Sequence, residues 1–209
     1  MEVAQKKTGT TTVGLIYDGG VVLAAEKKAT MGYLLDSKEA RKVYPIDDRM
    51  AITTAGTVGD IQTIVRYMRA EVNIFKFQKN RKIGVRAATV LLANILQGSK
   101  YFPYLGQFII GGVDENGPQV YSLDPAGGVV EGDKYYATGS GSPMAFGVLE
   151  DIYEEGMDEK RAIEVALKAV RAATRRDIAS GGKGYTVVVI NKDGLRELTE
   201  KEIETYLKE

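Results

Sequence analysis

Thr10 is the first of three consecutive threonines in Gly9-Thr10-Thr11-Thr12-Val13-Gly14, near the start of a 209-residue chain with no histidine and no cysteine. That composition excludes a Ser-His-Asp triad, a Cys-His dyad and any metal site built on imidazole or thiolate. A hydroxyl nucleophile must then find its base elsewhere. Cutting the chain after Gly9 would supply one, because the new α-amine of Thr10 could take the proton of its own hydroxyl. An unperturbed α-amine has a pKa of about 7.7–8.0, so a modest depression leaves it neutral near neutral pH. A neighbouring cation favours the neutral amine, and Lys42 is a candidate. A buried lysine needs a counter-charge, which Glu26 could supply. The same residues also have a plainer reading: threonines at a strand start reflect β-propensity, and charges at strand edges are usually solvated.

Gly56 follows the apolar run Met50-Ala51-Ile52-Thr53-Thr54-Ala55 and precedes a helical pattern. A strand ending there places backbone N–H groups where negative charge develops, and glycine admits a close approach. The alternative is a plain strand-to-helix turn. Asp177 and Ser180, in Arg176-Asp177-Ile178-Ala179-Ser180-Gly181-Gly182, are short polar groups able to orient an amine, or simply parts of a helix end and loop. Gly139-Ser140-Gly141-Ser142 lacks the lysine of a phosphate loop and the spacing of a dinucleotide fingerprint.

The elements that must position these groups follow from periodicity. Thr10 to Tyr17, a turn at Asp18-Gly19-Gly20 and Val21 to Ala25 read as a hairpin. Tyr33-Leu34-Leu35 and Lys42-Val43-Tyr44 are shorter strand candidates. Ile61, Ile64, Val65, Met68, Val72 and Phe75 form one helical stripe, and Ala88, Leu91, Leu92, Ile95 and Leu96 a second. Strands resume at Gln107 to Gly112 and Gln119 to Leu123, with Gly127 to Val130 and Tyr135 to Thr138 continuing the meander. Ser142 with Pro143 is expected to start a helix that ends near Gly156. Asp158 is expected to cap another, carrying Ala162, Ile163, Ala166, Leu167, Val170 and Ala173. Tyr185 to Ile190 reads as the final strand, followed by a short amphipathic helix capped by Thr199. Helix pairs segregated from antiparallel strands predict layers, with helices outside stacked sheets.

Lys plus Arg and Asp plus Glu both number 28, a balance that argues against a nucleic-acid binder. No apolar run approaches the ~20 residues of a membrane span, and the first nine residues have no apolar signal segment. Without a secretion signal or a disulfide, the expected compartment is the cytoplasm.

Four blocks together carry a resemblance: Gly9-Thr10-Thr11-Thr12-Val13-Gly14, Ala55-Gly56-Thr57-Val58-Gly59-Asp60, Thr138-Gly139-Ser140-Gly141-Ser142-Pro143, and Arg176 to Gly182. In order and spacing the chain resembles the archaeal 20S proteasome β subunits, members of the N-terminal nucleophile hydrolases, from about Thr10 to Ile190. The resemblance implies an α+β fold, a four-layer αββα sandwich of two antiparallel sheets flanked by helix pairs. It implies a propeptide over residues 1–9, cut at the Gly9–Thr10 bond, and a single domain over residues 10–209. Thr10 would be the nucleophile, Glu26 and Lys42 the acid and lysine beside it, and Gly56 the oxyanion-hole amide. Ser140, Asp177 and Ser180 would surround the terminal amine. Ala29, Thr30, Ala40, Thr54 and Val58 would bind substrate in a roomy, uncharged pocket for large apolar or aromatic side chains. Two departures stand out: Glu26 where many relatives have Asp, and Lys28 where arginine is frequent.

The activity so implied is a threonine endopeptidase that degrades unfolded polypeptides inside a closed chamber. It needs no cofactor or metal. Its expected partners are other β subunits in heptameric rings, rings of α subunits and a regulatory ATPase, with no nucleic acid and no membrane. Two rivals share the observations. One is a non-catalytic or unprocessed ring subunit, and the other is an N-terminal threonine amidase of smaller assembly.

Overall fold

A computed structural model describes residues 9–208. All of the expected leader except Gly9 therefore lies outside the described residues, as does Glu209. The chain opens with a hairpin of β1 (Thr12–Tyr17) and β2 (Gly20–Glu26), joined through Asp18 and Gly19, where Gly19 takes φ 89°. A small separate hairpin follows, β3 (Ala29–Met31) with β4 (Leu34–Ser37). Next come β5 (Val43–Pro45), β6 (Met50–Gly56), and the helices α1 (Val58–Lys79) and α2 (Val85–Gly98). The middle of the chain forms β7 (Gly106–Asp114), β8 (Gly117–Leu123), β9 (Val129–Val130) and β10 (Tyr135–Thr138). The last third holds α3 (Ser142–Ile152), α4 (Glu159–Thr174), β11 (Tyr185–Asn191), β12 (Gly194–Glu197) and α5 (Glu200–Lys208).

Two antiparallel five-stranded sheets stack face to face, in the orders β10-β1-β2-β11-β12 and β5-β6-β7-β8-β9. Strand alternation divides their side chains among three apolar layers. In β2, Val22 and Ala24 face α3 and α4, whereas Val21, Leu23 and Ala25 face the other sheet. In β7, Ile109 faces inward between the sheets while Phe108 and Ile110 pack on α1 and α2. The expected αββα sandwich follows directly: every central strand is buried on both faces, so each sheet needs a helix pair outside it.

Four local expectations are corrected. Tyr135–Thr138 does not continue the meander; β10 crosses to the first sheet and pairs with β1, Val13 opposite Ala137. Its alternation buries residues on both faces in either sheet, so pattern alone does not assign it. Ser142 is not the N-cap of α3. Gly141 is, with no side-chain cap, because a side chain at 141 would stand 2.0 Å from Thr11 Oγ1. That helix ends at Ile152, ahead of Gly156. Tyr185–Asn191 is followed by a further strand, β12, which is short, polar and at a sheet edge. Asp158 does cap α4, accepting the Arg161 N–H at 2.8 Å, and Thr199 forms a reciprocal capping box with Glu202.

Gly14 lies where the two sheets approach. A methyl built on it would stand 2.8 Å from Ile109 Cγ2 and 2.8 Å from Leu23 Cδ2. Gly14→Val is therefore expected to overpack the layer between the sheets and lower stability by about 1–3 kcal/mol. Denaturant unfolding checks this, and an unchanged midpoint would contradict it.

Candidate active site

The ends of strands and the loops behind them converge on Thr10, which is only 5% exposed and lies two residues before the start of β1. Thr10 Oγ1 donates to the Gly9 carbonyl at 2.6 Å. On the other side, Thr10 N–H donates to Ser140 Oγ at 3.2 Å. Ser140 arrives on the turn after β10, so the crossing of that strand into the first sheet is what brings it here. Gly139 carries the turn: its φ is 91°, and a side chain on it would strike the Thr10 carbonyl oxygen at 2.1 Å.

Asp177 and Ser180 lie on the loop between α4 and β11. Asp177 Oδ2 accepts from Ser140 Oγ and from Ser180 Oγ, each at 2.6 Å. Ser180 Oγ also meets Thr11 Oγ1 at 2.6 Å. Its own proton is committed to the carboxylate, so Thr11 donates in that contact. Thr11 was not singled out from sequence; the signal was the threonine run itself, which β-propensity explained equally well.

Glu26, at the end of β2, is fully buried and faces Lys42, just before β5. Its Oε1 takes the Lys42 ammonium and, at 3.1 Å, the Thr11 N–H. Its Oε2 takes the N–H groups of Lys28 at 2.7 Å and Gly181 at 2.9 Å. Four donors occupy a carboxylate with about four lone-pair sites. Burial pushes the Lys42 pKa below the usual lysine value, opposed by the charges of Glu26 and, further off, Asp177; Lys28 adds to the depression. Lys28 itself reaches across to the Ile178 carbonyl at 2.6 Å, tying down the loop that carries Asp177 and Ser180.

A cleft of about 290 Å³ opens on this group. Thr10, Lys42 and Gly56 line it, together with Ala29, Thr30, Ala40, Thr54 and Val58. Glu26 lies beneath the floor, and Ser140, Asp177 and Ser180 stand behind the Thr10 nitrogen rather than in the cleft. The cleft is not the uncharged pocket expected from its small residues. Asp36 and Arg41 also line it, with Ser37, Tyr44, Ile61 and Gln62. The β3–β4 hairpin and the turn after it deliver Asp36 and Arg41, and no periodicity marked them. Arg41 is held outward by Glu197 at 2.8 Å. Gly56 closes β6 opposite Gly106, where a side chain would meet the Leu105 carbonyl oxygen at 2.0 Å. Thr57 then caps α1, so the helix N-terminus lies one residue beyond Gly56.

The proteasome subunit family profile matches residues 6–190. The chain is 51% identical to a proteasome subunit beta of Methanospirillum hungatei over 203 residues, 97% of each chain. It is 48% identical to the proteasome subunit beta 1 of Thermococcus onnurineus over 206 residues, covering 99% of this chain and all of that one. Against the Methanosarcina mazei proteasome subunit beta the identity is 47% over 197 residues, 94% and 93% of the two chains.

Removing the Glu26 charge leaves the buried Lys42 ammonium uncompensated. Glu26→Gln is expected to destabilise the protein by on the order of 3–5 kcal/mol near neutral pH. The sign of its pH dependence is set. The Lys42 pKa lies below its unfolded value and falls further in the variant, so with Glu26 ionised the deficit is full below the variant's folded Lys42 pKa and shrinks as pH rises from there to the parent's. Denaturant midpoints measured from neutral to alkaline pH check this; a deficit that grows with pH would contradict it.

Proposed function

This chain belongs to the proteasome subunit family, as a β subunit, and we propose that it is a catalytic one: a threonine endopeptidase that releases its own nucleophile by cutting the Gly9–Thr10 bond. As a proteasome subunit it assembles with other subunits into a particle. The observation that carries the catalytic reading is the position of Thr10. Its hydroxyl lies against the carbonyl to be cut, at 2.6 Å, and its nitrogen lies against Ser140, while Lys42 shares its cleft.

In the uncut chain the Thr10 nitrogen is an amide and no base. Its hydroxyl attacks the Gly9 carbonyl carbon, and the acyl group shifts from nitrogen to oxygen, giving an ester and a free α-amine. Water hydrolyses the ester, releasing residues 1–9 with a terminal carboxylate and restoring the Thr10 hydroxyl. On substrates, the α-amine takes the hydroxyl proton as Oγ1 attacks, and returns it to the leaving amine. The Gly56 N–H stabilises the oxyanion, an interaction worth most in a water-poor site. The Lys42 ammonium favours the neutral amine, and Glu26 holds Lys42 in place.

The same reading makes residues 10–209 one domain and places the subunit in heptameric rings stacked on α-subunit rings. Its substrates are unfolded polypeptides fed by a regulatory ATPase, in the cytoplasm. Exposed aromatics favour burial in such rings: Tyr33, Phe77 and Phe102 are each at least 85% exposed. Among the described residues no helix is long and apolar enough to cross a membrane.

Thr10→Ala is expected to abolish both peptide cleavage and leader removal. N-terminal sequencing of the assembled particle should find Thr10 in the parent and the intact leader in the variant; normal turnover by the variant would eliminate the proposal. For specificity, Ala29, Ala40 and Thr54 leave room for a large apolar or aromatic side chain before the scissile bond. A panel of fluorogenic peptides should show fastest cleavage after such residues. Faster cleavage after Arg or Asp would assign the choice to Asp36 or Arg41 instead.

A further inference from the structure

Gly9 is wedged. Its N–H donates to Thr30 Oγ1 at 3.2 Å on one side. On the other, a methyl built on its Cα would stand 1.7 Å from Ala179 Cβ, 2.9 Å from Ala179 Cα and 3.0 Å from Ser140 Oγ. No rotamer relieves an overlap that begins at Cβ. We propose that Ala179 is a specificity-determining residue for self-cleavage: its methyl sets the size limit at the residue before Thr10 and admits glycine alone. The inference rests on the self-processing reading above.

Gly9 itself lines the cleft, hydrogen-bonded there to Thr30, but a substrate escapes this limit because its carbonyl is not tethered to the Thr10 nitrogen. In the uncut chain the Gly9 carbonyl is bonded to the Thr10 nitrogen, and that tether aims any side chain at position 9 at Ala179 and Ser140. A substrate carbonyl approaches Oγ1 from the cleft, where Ala29, Ala40 and Thr54 leave room. One nucleophile thus works under two size rules, a tight one for its own leader and a loose one for substrates.

The consequence of breaking the tight rule is geometric. A side chain at position 9 must push the chain away from Ala179, which draws the carbonyl off Thr10 Oγ1 and Thr10 N–H off Ser140 Oγ. A displacement of about 1 Å costs on the order of 100-fold in a positioned reaction. Ala179 contributes no polar side-chain atom, and its neighbours Asp177 and Ser180 bond through their own side chains. Shortening it removes the wall and leaves those bonds in place.

The test follows leader loss by intact mass over time, in assembled particles of the full chain. Gly9→Ala should slow processing on the order of 100-fold. Adding Ala179→Gly should recover roughly tenfold or more of that loss, with the remainder reflecting the Ala179 Cα and Ser140 contacts. Gly9→Leu should stay blocked with or without Ala179→Gly. Conversely, Ala179→Val with the natural Gly9 should slow processing, which covers the case in which the glycine variant fails to assemble. Rescue in the double variant is a result that a folding defect does not produce. Processing of Gly9→Ala at the parental rate, no gain on adding Ala179→Gly, or parental processing in Ala179→Val would each overturn the assignment. Two controls separate this from the underlying reading: a parent that keeps its leader, or a Thr10→Ala chain that loses it, defeats self-processing itself and this inference with it.

Discussion

The buried carboxylate of Glu26 is the constraint on which the site depends. Charges of this kind are tolerated only when paired and fully hydrogen-bonded, and Glu26 meets that demand with four donors, Lys28 from its own segment and three from other parts of the chain. Lys42 comes from the strand region of the second sheet, Thr11 from the entry to β1, and Gly181 from the loop after α4. Satisfying one charge therefore fixes three segments that no apolar contact would place so narrowly. It also disqualifies Glu26 as a base, since neither oxygen has a free lone pair. In the proposed mechanism its influence on chemistry would pass through Lys42. A glutamate reaches this arrangement with one more methylene than an aspartate would bring, and its contact with Lys42 is made.

Around that anchor the two sheets act as one frame. Thr10 and Glu26 lie at the open end of the first sheet's hairpin, Thr10 just ahead of β1, whereas Thr54 and Gly56 are in the second sheet and Lys42 just ahead of its β5. The sheets must hold their spacing for the two halves to meet. Apolar packing supplies most of that, through Leu23, Ala25, Val43 and Ile109. Near the site it is joined by a buried hydroxyl chain, Thr53 to Thr12 to Thr138, at 2.7 and 2.8 Å. Thr12 sits two residues from Thr10, and its hydroxyl links β1 both to its sheet neighbour and across the gap. Directional bonds at that point resist the sliding that apolar contacts alone permit.

Long periodic elements were legible in the sequence because one physical effect dominated them. The stripes of α1 and α2 and the doubly buried strands β2 and β11 announce themselves by burial, which periodicity reports directly. β10 was legible as a strand but not as a member of its sheet, because alternation records which residues are buried and not against what. The α3 cap was misread because Ser-Pro is a good start locally, whereas the close approach of Gly141 to Thr11 is a tertiary fact. Within the site, Thr10, Glu26 and Lys42 were singled out by chemistry, since a chain without histidine has few ways to deprotonate a hydroxyl. Ser140 came only with the family resemblance; its serine-glycine repeat has no chemical signature of its own. Asp36 and Arg41 escaped because a short polar hairpin carries no pattern that tells a rim residue from a solvated one.

The direction of the hydroxyl protons bears on how an amine could serve as base here. Asp177 Oδ2 accepts from both Ser140 and Ser180, and at 2.6 Å each serine proton is committed to it; the competing contact from Ser140 Oγ to the Thr10 carbonyl is 3.4 Å. Ser140 Oγ is therefore left facing the Thr10 nitrogen as an acceptor. In the uncut chain it receives the amide N–H. In the proposed mature enzyme it would receive a proton of the free amine, and the nitrogen lone pair would stay available for the hydroxyl. Were the serine proton turned toward the nitrogen, it would occupy the lone pair that has to act. Under the proposed mechanism a carboxylate two hydrogen bonds removed from the reacting atoms would thus set the polarity of the base, as Glu26 would set the position of the cation. Both acidic groups would then act without touching the bond to be cut.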